Sequence, residues 1–207
     1  MATYLSVRSP FSAAFSEHAP AEGSDDSLVR AAQHGDRAAF GALYSRYSRM
    51  VHGILLARVP RADVDDLVHD VFVQALPRLT SLRDVSKFPG WLASIARNRA
   101  ADFYRRSKPH DELPDESTGP ITSSKAPRAP ASHSSAEANA ALSAILSLPE
   151  TYRETLILRL VEGMTGPEIA ARTGLTAGSV RVNLHRGMQQ LREILLRKSE
   201  PRRGSEL

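Results

Sequence analysis

A chain of 207 residues that is 42% hydrophobic has room for one large domain or two small ones with packed cores. It contains no cysteine, which excludes disulfides, thiolate chemistry and cysteine-ligated zinc, and its seven histidines lack the close His or His/Glu pairing of a metal site. The formal net charge of +4 is compatible with nucleic acid as a partner, and no apolar run approaches the ~20 residues of a membrane span.

Residues 1–24 carry one early arginine, Arg8, and no sustained apolar core, so they read as a flexible tail rather than a signal peptide. From Ser24 to about Gly35 a short helix is expected: Asp25 and Asp26 suit a helix N-terminus, Leu28, Val29 and Ala32 form an apolar stripe, and Gly35 stops it. Asp36 restarts helix. Phe40, Leu43, Tyr44, Tyr47, Val51, Ile54 and Leu55 then recur at spacings of three and four in a long amphipathic helix that ends before Pro60.

A third helix opens at Asp63 and buries Leu67, Val68, Val71, Phe72, Ala75 and Leu76. Its outer side carries Asp65, Asp66, His69 and Asp70, an acidic patch that favours the helix dipole as a solvated face. Asp66 and Asp70 repel one another mildly at one turn's spacing, which a basic partner surface would relieve. Pro77 to Pro89 reads as a polar and basic loop. The fourth helix turns Phe88, Trp91, Leu92, Ile95, Ala96, Ala100 and Phe103 inward, and its other side and end carry Arg97, Asn98, Arg99, Arg105, Arg106 and Lys108. Such a basic stripe near Trp91, Phe103 and Tyr104 fits either a single-stranded nucleic-acid site or a solvated helix with core aromatics.

From Pro109 to Ser135 the composition shifts to Pro, Ser, Thr and Ala, with an acidic knot at Asp111, Glu112, Asp115 and Glu116, as in a linker. Helix resumes near Ala136, with Ala138, Leu142, Ile145 and Leu146, and another runs from the LPE at Leu148–Glu150 through Tyr152, Leu156, Ile157, Leu160 and Val161. The most informative stretch is Thr165 to Gly187, which reads as helix, tight turn, helix. Thr165 and Glu168 have capping-box spacing, Pro167 is tolerated in a first turn, and Gly174 suits a left-handed cap. Thr176 is placed to cap a second helix, in which Val180, Leu184, Met188, Leu191 and Leu195 share a face. The opposite face carries Ser179, Val182, His185, Arg186 and Gln189, flanked by Arg181 and Asn183. The small residues Ala170, Ala171 and Gly174 favour a DNA-binding helix-turn-helix over an ordinary amphipathic hairpin. With no strand-like alternation anywhere, the expected fold is all-α: two small helical domains joined by a flexible linker, the second containing the helix-turn-helix.

The blocks DRAAFGALYSRY (Asp36–Tyr47), DVDDLVHDVFVQA (Asp63–Ala75), FPGWLASIARNRAADFYRR (Phe88–Arg106), LPETYRETLILR (Leu148–Arg159) and the helix-turn-helix, in this order, resemble a bacterial RNA polymerase sigma factor of the extracytoplasmic-function (ECF) group. The resemblance implies a sigma domain 2 at 25–108, a linker at 109–135, a sigma domain 4 at 136–198 and a tail at 199–207. It also implies that Asp65, Asp66, Asp70 and Phe72 dock on the clamp helices of the polymerase largest subunit. The loop from Thr80 to Lys87 and the helix with Arg97, Asn98, Arg105 and Arg106 would open and read the −10 element, with Lys87 among the contacts. Ser179, Arg181, Val182, Asn183, His185 and Arg186 would read the −35 element. Three positions depart from the family's habit: Asn183 where a basic residue is common, Val182 where a small polar one is, and Gly187 in place of alanine.

The function so implied is a non-catalytic, cytoplasmic transcription initiation factor without cofactor, metal or small-molecule substrate. Its partners would be core RNA polymerase, through the clamp helices and the flap region, duplex and single-stranded promoter DNA, and, as a candidate, an anti-sigma factor; no membrane insertion is implied. The rival of the same broad class is a free-standing helix-turn-helix transcriptional regulator, which leaves Asp63 to Arg106 without purpose. A helical enzyme or scaffold using Asp65, Asp66 and Asp70 lacks a companion ligand on a second helix.

Overall fold

A computed structural model of the protein describes residues 23–107 and 133–199. Every regular element among them is helical. The eight α-helices are α1 (Asp25–Gln33), α2 (Arg37–Leu56), α3 (Val64–Arg78), α4 (Phe88–Ser107), α5 (His133–Leu146), α6 (Glu150–Leu160), α7 (Gly166–Thr173) and α8 (Ala177–Ser199). The acidic knot at Asp111 to Glu116 and residues 1–22 lie outside the described part. Of the segment read as a linker, 133–135 already belong to α5, three residues before the expected start.

Each start has a local cause. Ser24 caps α1 by accepting from the Ser27 amide, and Asp36 caps α2 by accepting from the Ala38 and Ala39 amides, satisfying donors that a helix N-terminus leaves open. Between them Gly35 turns the chain at φ 91°, a left-handed conformation that glycine adopts without penalty. The third helix runs two residues further than its apolar pattern suggests, through Pro77 to Arg78. The polar loop that follows is shaped by short 3-10 turns at Leu79–Ser81 and Val85–Lys87. It is tied down by Gln33 at the end of α1, whose side-chain amide donates to the carbonyls of Leu79 (3.0 Å) and Leu82 (2.8 Å).

The first four helices bury Leu43, Met50, Val51, Ile54, Leu55, Val71, Phe88 and Leu92 completely or nearly so. Around these, Phe40 and Tyr44 stack against Phe72, and Tyr47 packs edge-on against Phe88. The last four helices bury Leu148, Leu156, Ile157, Leu158, Ile169 and Val180. These two groups share one continuous apolar cluster, because α6 rests on α2 and α7 rests on α4. A bundle split into two halves by the sequence is therefore docked face to face in space.

Candidate nucleic-acid interface

The helix-turn-helix is assembled by the local signals that announced it. Thr165 Oγ1 accepts from the Glu168 amide at 3.4 Å, and Glu168 Oε2 accepts from both the amide and the hydroxyl of Thr165 at 2.7 Å. Those bonds, the Thr165 amide first, hold the Glu168 carboxyl below the usual carboxylate range. Gly174 ends α7 at φ 76°, and Thr176 Oγ1 accepts from the Ser179 amide at 3.1 Å to open α8.

On α8 the side chains expected at DNA divide cleanly from the core. Ser179, Arg181, Val182, His185 and Arg186 are exposed and Asn183 is half-buried, so one face offers hydrogen-bonding and cationic groups along two turns. The inner face differs from the predicted one. Met188 and Leu195, expected beside Val180 and Leu191, are 44% and 40% exposed; Gly187 and Ile194 lie inward instead. The reason is the approach of α8 to α6. A Cβ on Gly187 would lie 3.0 Å from Leu156 and 3.1 Å from Tyr152, so a glycine here lets the two helices close up, and Met188, ~100° further round the helix, faces outward. Met188, Leu191, Arg192, Leu195 and Leu196 then line a shallow, open cleft.

In the first half, Asp65 and Asp66 are exposed on α3, and Asp70 is held by Arg99 of α4 at 2.5 Å. Phe72, placed with them by resemblance, is 2% exposed and fills the core between Phe40 and Tyr44, so it offers no surface to a partner. The basic stripe of α4 is likewise divided. Asn98 and Arg106 are exposed, Arg105 pairs with Asp102 one turn away, and Lys87 pairs with Asp84 at 3.4 Å. The Asp84 carboxyl is held below its ordinary range first by the Ser86 hydroxyl. Trp91 is half-buried against Phe88 at 5.9 Å, whereas Tyr104 stays 48% exposed and is anchored by its hydroxyl, which donates to the Arg58 carbonyl at 2.7 Å.

Arg97 points the other way, into the second half. Its Nη2 donates to Glu154 Oε1 at 2.7 Å and to the Thr173 carbonyl at 3.1 Å, and its Nε to Glu154 Oε2 at 3.2 Å. Arg58 reaches the same carboxylate from the turn after α2 at 2.7 Å and Glu150 at 3.1 Å. Burial pushes the Glu154 carboxyl up, but the Arg97 hydrogen bond, the two guanidinium charges and the Arg58 hydrogen bond outweigh it. Its net value lies below the ordinary glutamate value of 4.5. A second carboxylate, Glu162, accepts from His52 Nδ1 at 2.7 Å and lies 3.5 Å from Arg49. Arg172 of α7 sits 5.6 Å over the Tyr47 ring, where cation and π face attract.

Arg58, Glu154 and Glu162 are not legible as partners in the sequence, since their contacts span dozens of positions. One local signal exists. Five consecutive residues, Glu154 to Leu158, are buried, and a helix buried on every side must be covered by more than its own domain. Among the described residues no group of three His, Asp or Glu side chains could hold a metal ion, and no helix is long and apolar enough to cross a membrane.

A model of Sigma-70 region 2 matches residues 43–109, and one of Sigma-70, region 4 matches residues 138–191. The ECF RNA polymerase sigma-E factor of Haemophilus influenzae is 31% identical over 187 residues, covering 86% of this chain and 96% of that protein. The ECF RNA polymerase sigma factor BldN of Streptomyces coelicolor is 32% identical over 185 residues, covering 85% and 69% respectively. Among solved structures, CnrH in complex with the cytosolic domain of CnrY is similar with a TM-score of 0.59 and 27% identity, over 84% of this chain and 99% of that one.

Proposed function

The chain belongs to the ECF family of RNA polymerase sigma factors, and on that premise we propose that it is a transcription initiation factor. It binds core RNA polymerase inside the cell and directs it to promoters by recognising −10 and −35 elements. It carries out no chemistry itself; nucleotide addition belongs to the polymerase. The observation that carries this reading is the presence, in one chain, of a helix-turn-helix with an open polar and basic face and a separate helical region 2 with an acidic flank.

In this reading Asp65, Asp66 and Asp70 on α3 meet the basic clamp helices, an electrostatic match for the exposed carboxylates of Asp65 and Asp66, with Asp70 shared with Arg99. Lys87, Asn98, Arg105 and Arg106, with the loop before α4, hold the −10 strand. Arg181, Asn183, His185 and Arg186 reach base edges and phosphates of the −35 element, with Ser179 as a further donor and Val182 against a thymine methyl. A protein that binds and restrains the chain, as CnrY's cytosolic domain binds CnrH, is a further candidate partner.

The deciding experiment is in vitro transcription from genomic fragments with added core polymerase, followed by mapping of start sites. Starts that depend on the chain and share a pair of upstream motifs are expected. Absence of any chain-dependent start, together with tight duplex binding by the chain alone, would establish a free-standing regulator instead.

A further inference from the structure

We propose that the docked arrangement is a self-inhibited state in which the Glu154 carboxylate occupies, on Arg58 and Arg97, the place a phosphodiester takes when promoter DNA binds. The proposal rests on the function just given. Arg97 grips Glu154 through Nε and Nη2, the forked geometry with which guanidinium recognises carboxylate and phosphate alike, while Arg58 closes on it from the turn after α2. With the carboxylate withdrawn, two guanidiniums remain converged on one point at the side of α4: an anion site already assembled.

The docked chain is also too short to read a bipartite promoter. The backbone at Gly174 touches Gly90 of α4, where a Cβ on either residue would lie 3.5 Å from the Cα of the other. Helix α8 begins three residues later, so its first residue lies within about 11 Å of that contact. Two promoter elements one to two helical turns apart are separated by ~34 to 70 Å. Even with Arg106 ~24 Å along α4 from Gly90 and Arg186 ~14 Å along α8, elements two turns apart lie beyond the reach of the docked halves, which must part to engage both.

The interface is suited to parting. Its central bonds are ionic, and the Coulomb attraction of a buried pair is largely offset by the desolvation of both groups. A competitor anion that restores the same contacts therefore displaces Glu154 at small net cost. The steric fit is equally conditional: Gly53 of α2 faces Leu158 and Glu162 so closely that a Cβ there would lie 2.7 and 2.9 Å from their side chains.

Two substitutions in the full chain test this. Glu154→Gln removes the competing charge, and Gly53→Leu wedges the halves apart against Leu158 and Glu162 while leaving Arg58, Arg97, Glu154 and the exposed face of α8 in place. Because the chain has no cysteine, Ser45→Cys and Glu193→Cys, both exposed, accept a pair of spin labels specifically. Expected results are one narrowly distributed distance in the free parent chain, longer and broader distances in both variants and a longer one in the holoenzyme, and roughly tenfold tighter binding of the variants to a mixed-sequence single strand of about 16 nucleotides. The salt dependence of that binding should steepen by about 0.7, the contribution of the one phosphate that takes the carboxylate's place, and revert when Arg58→Gln is added. A free parent chain already as extended as in the holoenzyme overturns the closed state. Lengthened distances without a gain in strand binding overturn the role of Glu154 as a stand-in for phosphate. Circular dichroism identifies a variant that has unfolded, in which case the other variant decides. Failure of the functional reading would show separately, as absence of chain-dependent transcription from the genomic fragments.

Discussion

Arg97 of α4 holds Glu154 of α6 through two nitrogens, Nη2 at 2.7 Å and Nε at 3.2 Å, across 57 residues of sequence. That carboxylate is 5% exposed and has a second guanidinium, Arg58, on its other side. The pair gives the docked molecule a definite response to acid. Since the folded carboxyl titrates below its ordinary 4.5, its contribution is fully present above that value and is lost as pH falls through the lower, folded value. Glu154→Gln is expected to destabilise the docked state by roughly 3 kcal/mol at neutral pH. The difference between variant and parent in thermal melts should shrink in acid; a constant difference down to pH ~3 would contradict the linkage.

Tyr47 donates its hydroxyl to Asp25, which also takes Arg46. Burial raises the Asp25 carboxyl, and the hydrogen bonds from Tyr47 and Arg46 with the charges of Arg46 and Arg172 more than reverse it. The tyrosine's own proton is held more tightly, first by burial and then by the aspartate. Tyr47→Phe keeps the ring against Phe88 and removes only the donor, so a loss of roughly 1.5 to 3 kcal/mol in urea unfolding is expected. The Asp25 carboxyl should titrate closer to 3.8, readable by carbon-detected NMR.

Gln33 spans the two loop carbonyls of Leu79 and Leu82. Gln33→Ala should cost about 1 kcal/mol and, more specifically, speed amide exchange across 79–87 while leaving α2 and α4 protected. Uniformly faster exchange throughout the first half would show that the glutamine supports the whole bundle.

Gly187→Val puts two methyl groups where a single Cβ already lies 3.0 Å from Leu156. A loss of roughly 1 to 3 kcal/mol is expected from overpacking, despite the removal of a glycine from a helix interior. An unchanged or raised melting temperature would mean that α8 moves off α6 freely.

Arg181→Ala and Arg186→Ala, both on the open face of α8, should each weaken −35 recognition by about 1 to 3 kcal/mol if they read a base bidentately. Footprints of the reconstituted holoenzyme measure this. Full −35 protection in both variants would move the contact elsewhere on the helix.

The helix-turn-helix was legible residue by residue because its causes are local: Thr165 with Glu168, the left-handed Gly174 and Thr176 all act within four positions. The helices of the first half were legible from spacing, and the apolar sets were nearly right, with Leu76, expected inward on the third helix, 49% exposed instead. Docking was not legible. His52 and Glu162 meet across 110 positions, and a glutamate at 154 reads as an ordinary polar residue until the helix on either side is seen. The registry of α8 failed for a related reason: whether Met188 or Gly187 faces inward is set by the depth of α6, which periodicity does not encode. Phe72 was recognised as apolar and given a surface role by resemblance, while its burial follows from Phe40 and Tyr44.

Gly53 has a consequence that reaches past packing. In the parted chain an alanine there would strengthen α2 by about 1 kcal/mol, whereas in the docked chain its methyl group is opposed by Leu158 and Glu162. One substitution therefore carries opposite signs in the two conformers. Position 53 sets the ratio between a resting and a working population, so the fraction of molecules ready for polymerase can be retuned by a single codon with every recognition residue untouched.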